Sequence, residues 1–83
     1  MSENRSDLEN QILIQFGRRL RQLRKERGLS QLELSLKGGY TRSYYTELEL
    51  GKRNVSLLGL FKLADVLEVE VTELLDFDPT TED

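Results

Sequence analysis

The sequence predicts an all-α fold of five short helices, on the basis of three observations. Leucine accounts for seventeen of the 83 residues and proline for one, so helix-forming residues dominate and little interrupts them. Apolar residues recur at the three- and four-residue spacing of amphipathic helices. Serine, threonine and glycine stand where such segments begin and end. With 37 % hydrophobic and 33 % charged residues, the chain is expected to form one globular domain.

The first helix is predicted to begin at Ile12, after a polar lead-in that covers residues 1–11. Gly28 is expected to end it, because glycine is common just past a helix C-terminus. The apolar side chains at helical spacing that form its predicted inner face are Ile12, Phe16, Leu20 and Leu23.

The second helix is predicted from a capping box. Ser30 and Glu33 have the spacing at which each side chain bonds the backbone amide of the other. This pattern predicts a helix from Gln31 to about Lys37, which the two glycines that follow should end.

The third helix is predicted to start after Thr41, a suitable N-cap residue, and to run to about Leu50. Tyr45 and Leu48 are expected on its inner face, and Gly51 should end it.

The last two helices complete the domain, predicted to span residues 12–75. Ser56 is expected to cap the fourth helix, and Val71 to Leu75 form a brief fifth one. Residues 76–83 are expected to be an acidic, flexible tail. The apolar stripe predicted to face the core along the fourth helix is Leu57, Leu60, Phe61, Ala64 and Leu67.

Composition excludes several classes of protein. Cysteine and histidine are absent, so zinc, haem, iron–sulfur and disulfide sites lack their usual ligands, and thiol and Ser-His catalysis lack their groups. No apolar run approaches the ~20 residues of a membrane span. We therefore expect a cytoplasmic protein that is not an enzyme and uses no cofactor, metal, membrane or small-molecule ligand.

The charge distribution favours an anionic partner despite a net charge of −3. Residues 16–53 carry a net charge of +6, whereas residues 1–15 carry −2 and residues 54–83 carry −7. A basic segment between acidic ones gives the chain one positive face, as nucleic-acid-binding domains have. A solvated helix face is the alternative explanation of such a segment.

Two short helices joined by a glycine-containing turn describe a helix-turn-helix. The segments that occur here in characteristic order are Leu20 to Gln31, Gly39, Arg42 to Tyr44, Glu49 to Asn54, Leu63-Ala64 and Val69 to Leu75. Together they resemble the lambda-repressor/Cro-like (Xre) helix-turn-helix family. The resemblance implies a compact lambda-repressor-like domain whose second and third helices form the helix-turn-helix. It also implies double-stranded DNA as the partner.

The resemblance implies two sets of DNA contacts. Side chains early in the third helix would reach base edges: Arg42, Ser43, Tyr44, Thr46 and Glu47. Phosphate contacts would come from the helix N-termini and from the loop after the third helix: Gln31, Thr41, Lys52, Arg53 and Asn54.

Alternatives that involve no contact with DNA remain open for several of these residues. Arg42 can be a solvated first-turn residue, Tyr44 can pack against the domain, and Glu47 can pair with Arg42 or with Arg53 instead of a base. The arginines of the first helix can also be solvated rather than bound to DNA: Arg18, Arg19 and Arg21.

Three departures from the family pattern stand out. The turn from Gly38 to Tyr40 has an extra glycine, and a tyrosine where a small aliphatic residue is usual. Tyr45 replaces a β-branched core residue, so its hydroxyl should reach a partner or solvent. Leu32 and Leu36 stand where polar residues are usual and can form an apolar surface patch.

The functional hypothesis is a sequence-specific transcriptional regulator that binds a palindromic operator as a homodimer. As a small helix-turn-helix chain, the protein also resembles the controller proteins of restriction–modification systems. The alternative is a protein-interaction module, antitoxin-like or without DNA binding. The expected dimer surface consists of Val66, Val69, Val71, Leu74, Leu75 and Phe77. The alternative is that these residues only complete the core of the monomer. Leu32 and Leu36 form a rival patch.

Overall fold

The computed structural model describes residues 5–80, and this part of the chain forms five α-helices and no strand. The helices are α1 (Asp7–Glu26), α2 (Gln31–Gly38), α3 (Arg42–Glu49), α4 (Leu57–Leu67) and α5 (Val71–Leu74). The predicted all-α, five-helix fold is confirmed. Residues 1–4 of the expected lead-in and 81–83 of the expected tail lie outside the described residues. None of the helices described is long and apolar enough to cross a bilayer.

Helix α1 begins five residues earlier than predicted. The Ser6 hydroxyl accepts a hydrogen bond from the Glu9 amide at 3.1 Å, and the Glu9 carboxylate accepts one from the Ser6 amide at 2.9 Å. This capping box satisfies amides that a helix start would otherwise leave unpaired. The expected polar lead-in is therefore wrong for residues 7–11, which are helical.

The predicted caps of the next three helices are confirmed. Ser30, Thr41 and Ser56 each accept a hydrogen bond from the amide three residues later, at 3.0–3.1 Å. Gly39 ends α2 in the left-handed conformation, with φ +73°. Because this conformation is strained for residues that carry a Cβ, the glycine sets where α2 stops.

The helices pack around one core. Helix α3 contacts α1 and α2, α4 contacts α2 and α5, and α5 returns to α1. The largest fully buried side chains come from all five helices: Leu20, Leu34, Tyr45, Leu48, Leu63, Leu67 and Leu74. Helix α2 thus packs against both α3 and α4.

The predicted inner face of α4 is wrong in part. Leu63, Ala64 and Leu67 are buried, but Leu57 and Phe61 are 68 % and 57 % exposed. Helix α4 is apolar on nearly every side, so its sequence pattern does not select one face. Contact with α2 and α5 selects it instead, and an apolar surface remains outside.

Three residues past the end of α5, Phe77 still packs against the domain. The ring of Phe77 lies 6.4 Å from that of Phe16, between centroids, and contacts the core. The packed structure therefore extends to Phe77, beyond the predicted domain end at residue 75.

Candidate nucleic-acid interface

The outer face of α3 carries the side chains predicted to contact bases. Its inner face consists of Tyr45, Leu48 and Glu49, all buried. Arg42 and Ser43 are exposed. The other three predicted residues are half-buried: Tyr44, Thr46 and Glu47. An exposed arginine in the first turn has the length and the fork of donors needed to reach a guanine.

The Gln31 side chain ties the start of α2 to α3. Its Oε1 accepts a hydrogen bond from Thr46 Oγ1, and its Nε2 donates to Glu49 Oε1, both at 2.9 Å. The side chain predicted to contact phosphate is thus engaged within the chain. The first backbone amides of α2 still have no acceptor within their own helix, and such amides favour an anion. At the start of α3, the hydroxyl of Thr41 serves as the cap for the Tyr44 amide.

A buried ion pair joins α1 to α3. Arg24 Nε donates to Glu49 Oε2 at 2.6 Å and Nη2 donates to Oε1 at 3.2 Å. Their side chains are only 8 % and 3 % exposed. Arg24 Nη1 also donates to the carbonyl of Leu29 at 2.8 Å, at the end of the α1–α2 connection. One arginine of α1 therefore binds both α3 and the connection that leads into α2.

Burial and hydrogen bonding have opposite effects on the pKa of Glu49. Burial alone would raise this pKa, but the hydrogen bonds from Arg24 and Gln31 favour the carboxylate and hold the pKa below its ordinary value. The carboxylate is therefore charged wherever the domain is folded near neutral pH.

Two glycines let α1 approach the C-terminal end of α3. A Cβ on Gly17 would collide with the carbonyl groups of Leu48 and Glu49. Gly51 has φ +77°, and a Cβ there would lie 2.8 Å from the Cα of Ile14. The close approach fixes the direction of α3 and of the loop that follows.

The loop after α3 brings predicted phosphate contacts beside predicted base contacts. Lys52, Arg53 and Asn54 are all exposed. Arg53 Nε donates to Glu47 Oε1 at 2.7 Å, and its guanidinium carbon lies 5.5 Å from the centre of the Tyr44 ring. Of the alternatives left open for Glu47, pairing with Arg53 is the one present in the free chain.

Part of the basic segment serves the fold rather than the surface. Besides the buried Arg24, Arg19 donates to the carbonyl of Glu73 and Arg27 donates to the carbonyl of Glu68, both at 2.7 Å. These bonds join α1 to the ends of α4 and α5. The charge of the segment therefore overstates the number of cations available to a ligand.

Comparison with known proteins agrees with this geometry. The family model HTH_3, described as helix-turn-helix, matches residues 20–74, which run from the middle of α1 to the end of α5. The chain belongs to this helix-turn-helix family. The family resemblance expected from the sequence is confirmed.

Several relatives of this helix-turn-helix chain are regulators. It is 44 % identical over 66 residues to the control protein C.MunI of a Mycoplasma species, covering 78 % of this chain and 89 % of that one. The crystal structure of the restriction–modification controller protein C.AhdI from Aeromonas hydrophila is 50 % identical, with a TM-score of 0.71 over 75 % of this chain and 94 % of that one. The crystal structure of SinR, a master regulator for biofilm formation, in complex with DNA is 42 % identical, with a TM-score of 0.68 over 74 % and 98 %.

The helix-turn-helix chain places its predicted dimer residues in different environments. Val66 and Leu74 are buried in the core, so they offer no surface to a second copy of the chain. Leu75 is 47 % exposed, and the other three are half-buried: Val69, Val71 and Phe77. The rival residues on α2, Leu32 and Leu36, are 46 % and 73 % exposed.

Sequence reasoning missed three residues that support this site. They are Arg24, Glu49 and Gly17, to which the sequence analysis gave no role. A signal was present for two of them. Arg24 lies four residues after Leu20, on the buried face of α1, and a glycine inside a helix is unfavourable without a packing reason.

Proposed function

We propose that this chain is a sequence-specific, DNA-binding transcriptional regulator that inserts α3 into the major groove. The observation that supports this most directly is the contrast between the two sides of α3. Its inner side is anchored by the Arg24–Glu49 pair, while Arg42 and Ser43 project from its outer side. Direct readout of base edges requires a helix that is held in place and that exposes polar side chains.

The proposed contacts divide by role. Arg42, Ser43 and Thr46 would read base edges from the outer face of α3. Lys52, Asn54 and the first amides of α2 would bind phosphates and so fix the position of α3 on the duplex. The likeness to control proteins favours a narrower proposal, namely the controller of a restriction–modification system acting in the cytoplasm.

A second copy of the chain is part of the proposal. A single helix tip contacts only a few base pairs, which is too little sequence to define a genomic site. A two-fold dimer would read a palindrome with half-sites about 34 Å apart, or a multiple of that distance. Such a pairing requires an apolar surface that leaves α3 uncovered.

The exposed side of α4 is the proposed dimer surface. Leu57, Leu58 and Phe61 are 57–80 % exposed, more than any residue of the surface expected from sequence. Phe61 also lines an open hollow together with Val69 and Val71. A projecting apolar group beside an apolar hollow can pair with its own copy.

Selection of bound duplexes from a random DNA library tests the DNA-binding proposal. We expect a palindromic motif to be enriched by the wild type and not by the Arg42→Ala variant. Arg21→Ala, which removes the same charge from an exposed position on α1, serves as the matched control. A motif without two-fold symmetry would refute the palindromic operator.

Sedimentation of two charge-insertion variants tests the dimer surface. Phe61→Glu should give monomers at micromolar concentration, whereas Leu36→Glu, at a still more exposed site on α2, should remain dimeric. The reverse result would move the interface to the α2 patch. Both positions are exposed, so both variants should fold.

One observation favours a second candidate function. Leu36 is 73 % exposed beside the half-exposed Leu32, which suits a protein-interaction module on the helix-turn-helix scaffold. If the library yields no enriched duplex, this interpretation replaces the first.

A further inference from the structure

We propose that Glu47 is a positioning residue. It holds Arg53 against the Tyr44 ring, so that the two terminal nitrogens of the guanidinium are presented to an acceptor on the DNA. This inference rests on the proposed DNA-binding function, and it gives Glu47 a different role from the base contact expected from the sequence.

The first support is that Glu47 bonds only the Nε edge of the Arg53 guanidinium. Its Oε1 accepts a hydrogen bond from Arg53 Nε at 2.7 Å. Among residues 5–80, no hydrogen bond from either terminal nitrogen of Arg53 is found. The side chain of Arg53 is 53 % exposed. An arginine held at Nε keeps a planar pair of donors for a phosphate or a guanine.

The second support is the aromatic platform under Arg53. The guanidinium carbon lies 5.5 Å from the Tyr44 ring centre, and the Tyr44 ring stacks on Tyr40 at 5.9 Å with an interplanar angle of 29°. Lys62 Nζ lies 4.8 Å from the centre of the Tyr40 ring. Two cations and two stacked rings thus form one layered cluster that joins α4 to the loop after α3.

The unusual turn makes this platform possible. A Cβ on Gly38 would collide with the ring of Tyr40, lying 2.8 Å from its Cδ2. The extra glycine therefore provides the space in which Tyr40 supports Tyr44. Both departures in the turn from Gly38 to Tyr40 are explained by one packing requirement.

Simple electrostatics predicts the opposite effect of Glu47. A carboxylate near the phosphate backbone repels DNA, so its removal should tighten binding. If Glu47 acts by holding Arg53, its removal should weaken binding, because Arg53 must then be ordered when DNA binds. Immobilising one long side chain at an interface corresponds to a change of about 2- to 10-fold in affinity. The sign of the change therefore separates the two roles.

A double-mutant cycle measured by fluorescence anisotropy tests the proposal. The wild type, Glu47→Ala, Arg53→Ala and the double variant are titrated with the selected duplex and with a scrambled duplex at several salt concentrations. We expect Glu47→Ala to weaken binding by about 2- to 10-fold with Arg53 present and not to weaken it in the Arg53→Ala background. Arg53→Ala should flatten the slope of log affinity against log salt by about one unit if its acceptor is a phosphate. A loss of preference at one base pair instead would identify that acceptor as a base.

Two further measurements exclude a merely structural effect. Glu47→Gln keeps an acceptor for Arg53 Nε, so it should bind more tightly than Glu47→Ala while melting at a similar temperature. In the free protein, the ¹⁵Nε signal of Arg53 should show an ordered N–H in the wild type and a mobile one in Glu47→Ala. A mobile N–H in the wild type would overturn the proposal.

The other outcomes are equally decisive. Wild-type affinity or tighter binding in Glu47→Ala would overturn the positioning role while leaving DNA binding intact. A changed base preference in Glu47→Ala would overturn it in favour of direct readout. A wild type that binds neither duplex would overturn the proposed function, and this inference with it.

Discussion

Replacing Glu49 alone should strongly destabilise the folded protein, whereas replacing both members of its ion pair should not. Glu49→Leu leaves the guanidinium of Arg24 buried, with its side chain only 8 % exposed in the wild type and no carboxylate beside it. Breaking one side of a buried pair lowers the free energy of unfolding by about 3–5 kcal/mol. A domain of this length has only about 4–12 kcal/mol in total.

The double variant Arg24→Met with Glu49→Leu removes both buried charges and fills the same space. Such replacements are often neutral or stabilising by about 1–4 kcal/mol. The wild-type bonds to the Leu29 carbonyl and the Gln31 amide are lost, which should offset part of that gain. We therefore expect the double variant to lie within about 2 kcal/mol of the wild type, well above the single variant.

Urea unfolding and thermal unfolding, both followed by circular dichroism, measure these differences. Glu49→Leu should lower the melting temperature by at least about 12 °C, from about 3 kcal/mol at about 4 °C per kcal/mol. Equal destabilisation of the single and double variants would refute the reasoning, because it would show that side-chain volume rather than an unpaired charge is responsible.

The same pair predicts a dependence on acid. The pKa of Glu49 in the folded chain is lower than its ordinary value of 4.5. Its contribution to the free energy of unfolding is therefore present above pH 4.5 and is lost as the pH falls through the lower folded pKa. The double variant should lack this part of the acid destabilisation.

Three further predictions concern single residues. Arg42→Ala should weaken binding to the selected duplex by about 1–3 kcal/mol and to random DNA far less, in anisotropy titrations; equal losses would make Arg42 a phosphate contact. Tyr45→Phe should change the free energy of unfolding by less than about 1 kcal/mol, because the buried Tyr45 hydroxyl makes no hydrogen bond of good geometry among residues 5–80, contrary to the expectation from sequence, yet still helps to lower the pKa of Glu49; a larger loss of stability in urea would disprove this. Glu68→Gly should raise the melting temperature, because Glu68 has φ +60°, a conformation that is unfavourable by about 1 kcal/mol for residues with a Cβ. An unchanged or lower melting temperature would mean that the surface pair with Lys37 contributes more than its exposure suggests.

The helix boundaries were largely predictable because caps are local. Ser30, Thr41 and Ser56 each bond an amide three residues away, so a short window of sequence contains the whole interaction. The start of α1 follows the same rule but was missed. Its capping box at Ser6 precedes a turn whose only apolar residue, Leu8, is 55 % exposed, so apolar spacing gave no signal there.

The faces of the helices were less predictable, because they depend on distant residues. The sequence of α4 permits several inner faces, and contacts with α2 and α5 choose among them. The same contacts bury Val66 and Leu74, which in the sequence were indistinguishable from surface valines and leucines. Apolar spacing therefore identified the helix but not which of its side chains a partner could contact.

The residues that set the direction of α3 are buried, so a search for exposed basic residues does not find them. A helix of eight residues is not stable alone in water, so packing must hold α3 in place and set its direction. Here the support comes from two contacts between α1 and α3, namely the buried Arg24–Glu49 pair and the close approach at Gly17. Because contacts with α1 fix the inner face of α3, they also set the direction of its outer face. Substitutions at these positions of α1 should therefore change DNA affinity by changing the direction of α3. The proposed recognition therefore depends on these buried residues as well as on the exposed side chains that we propose to contact DNA.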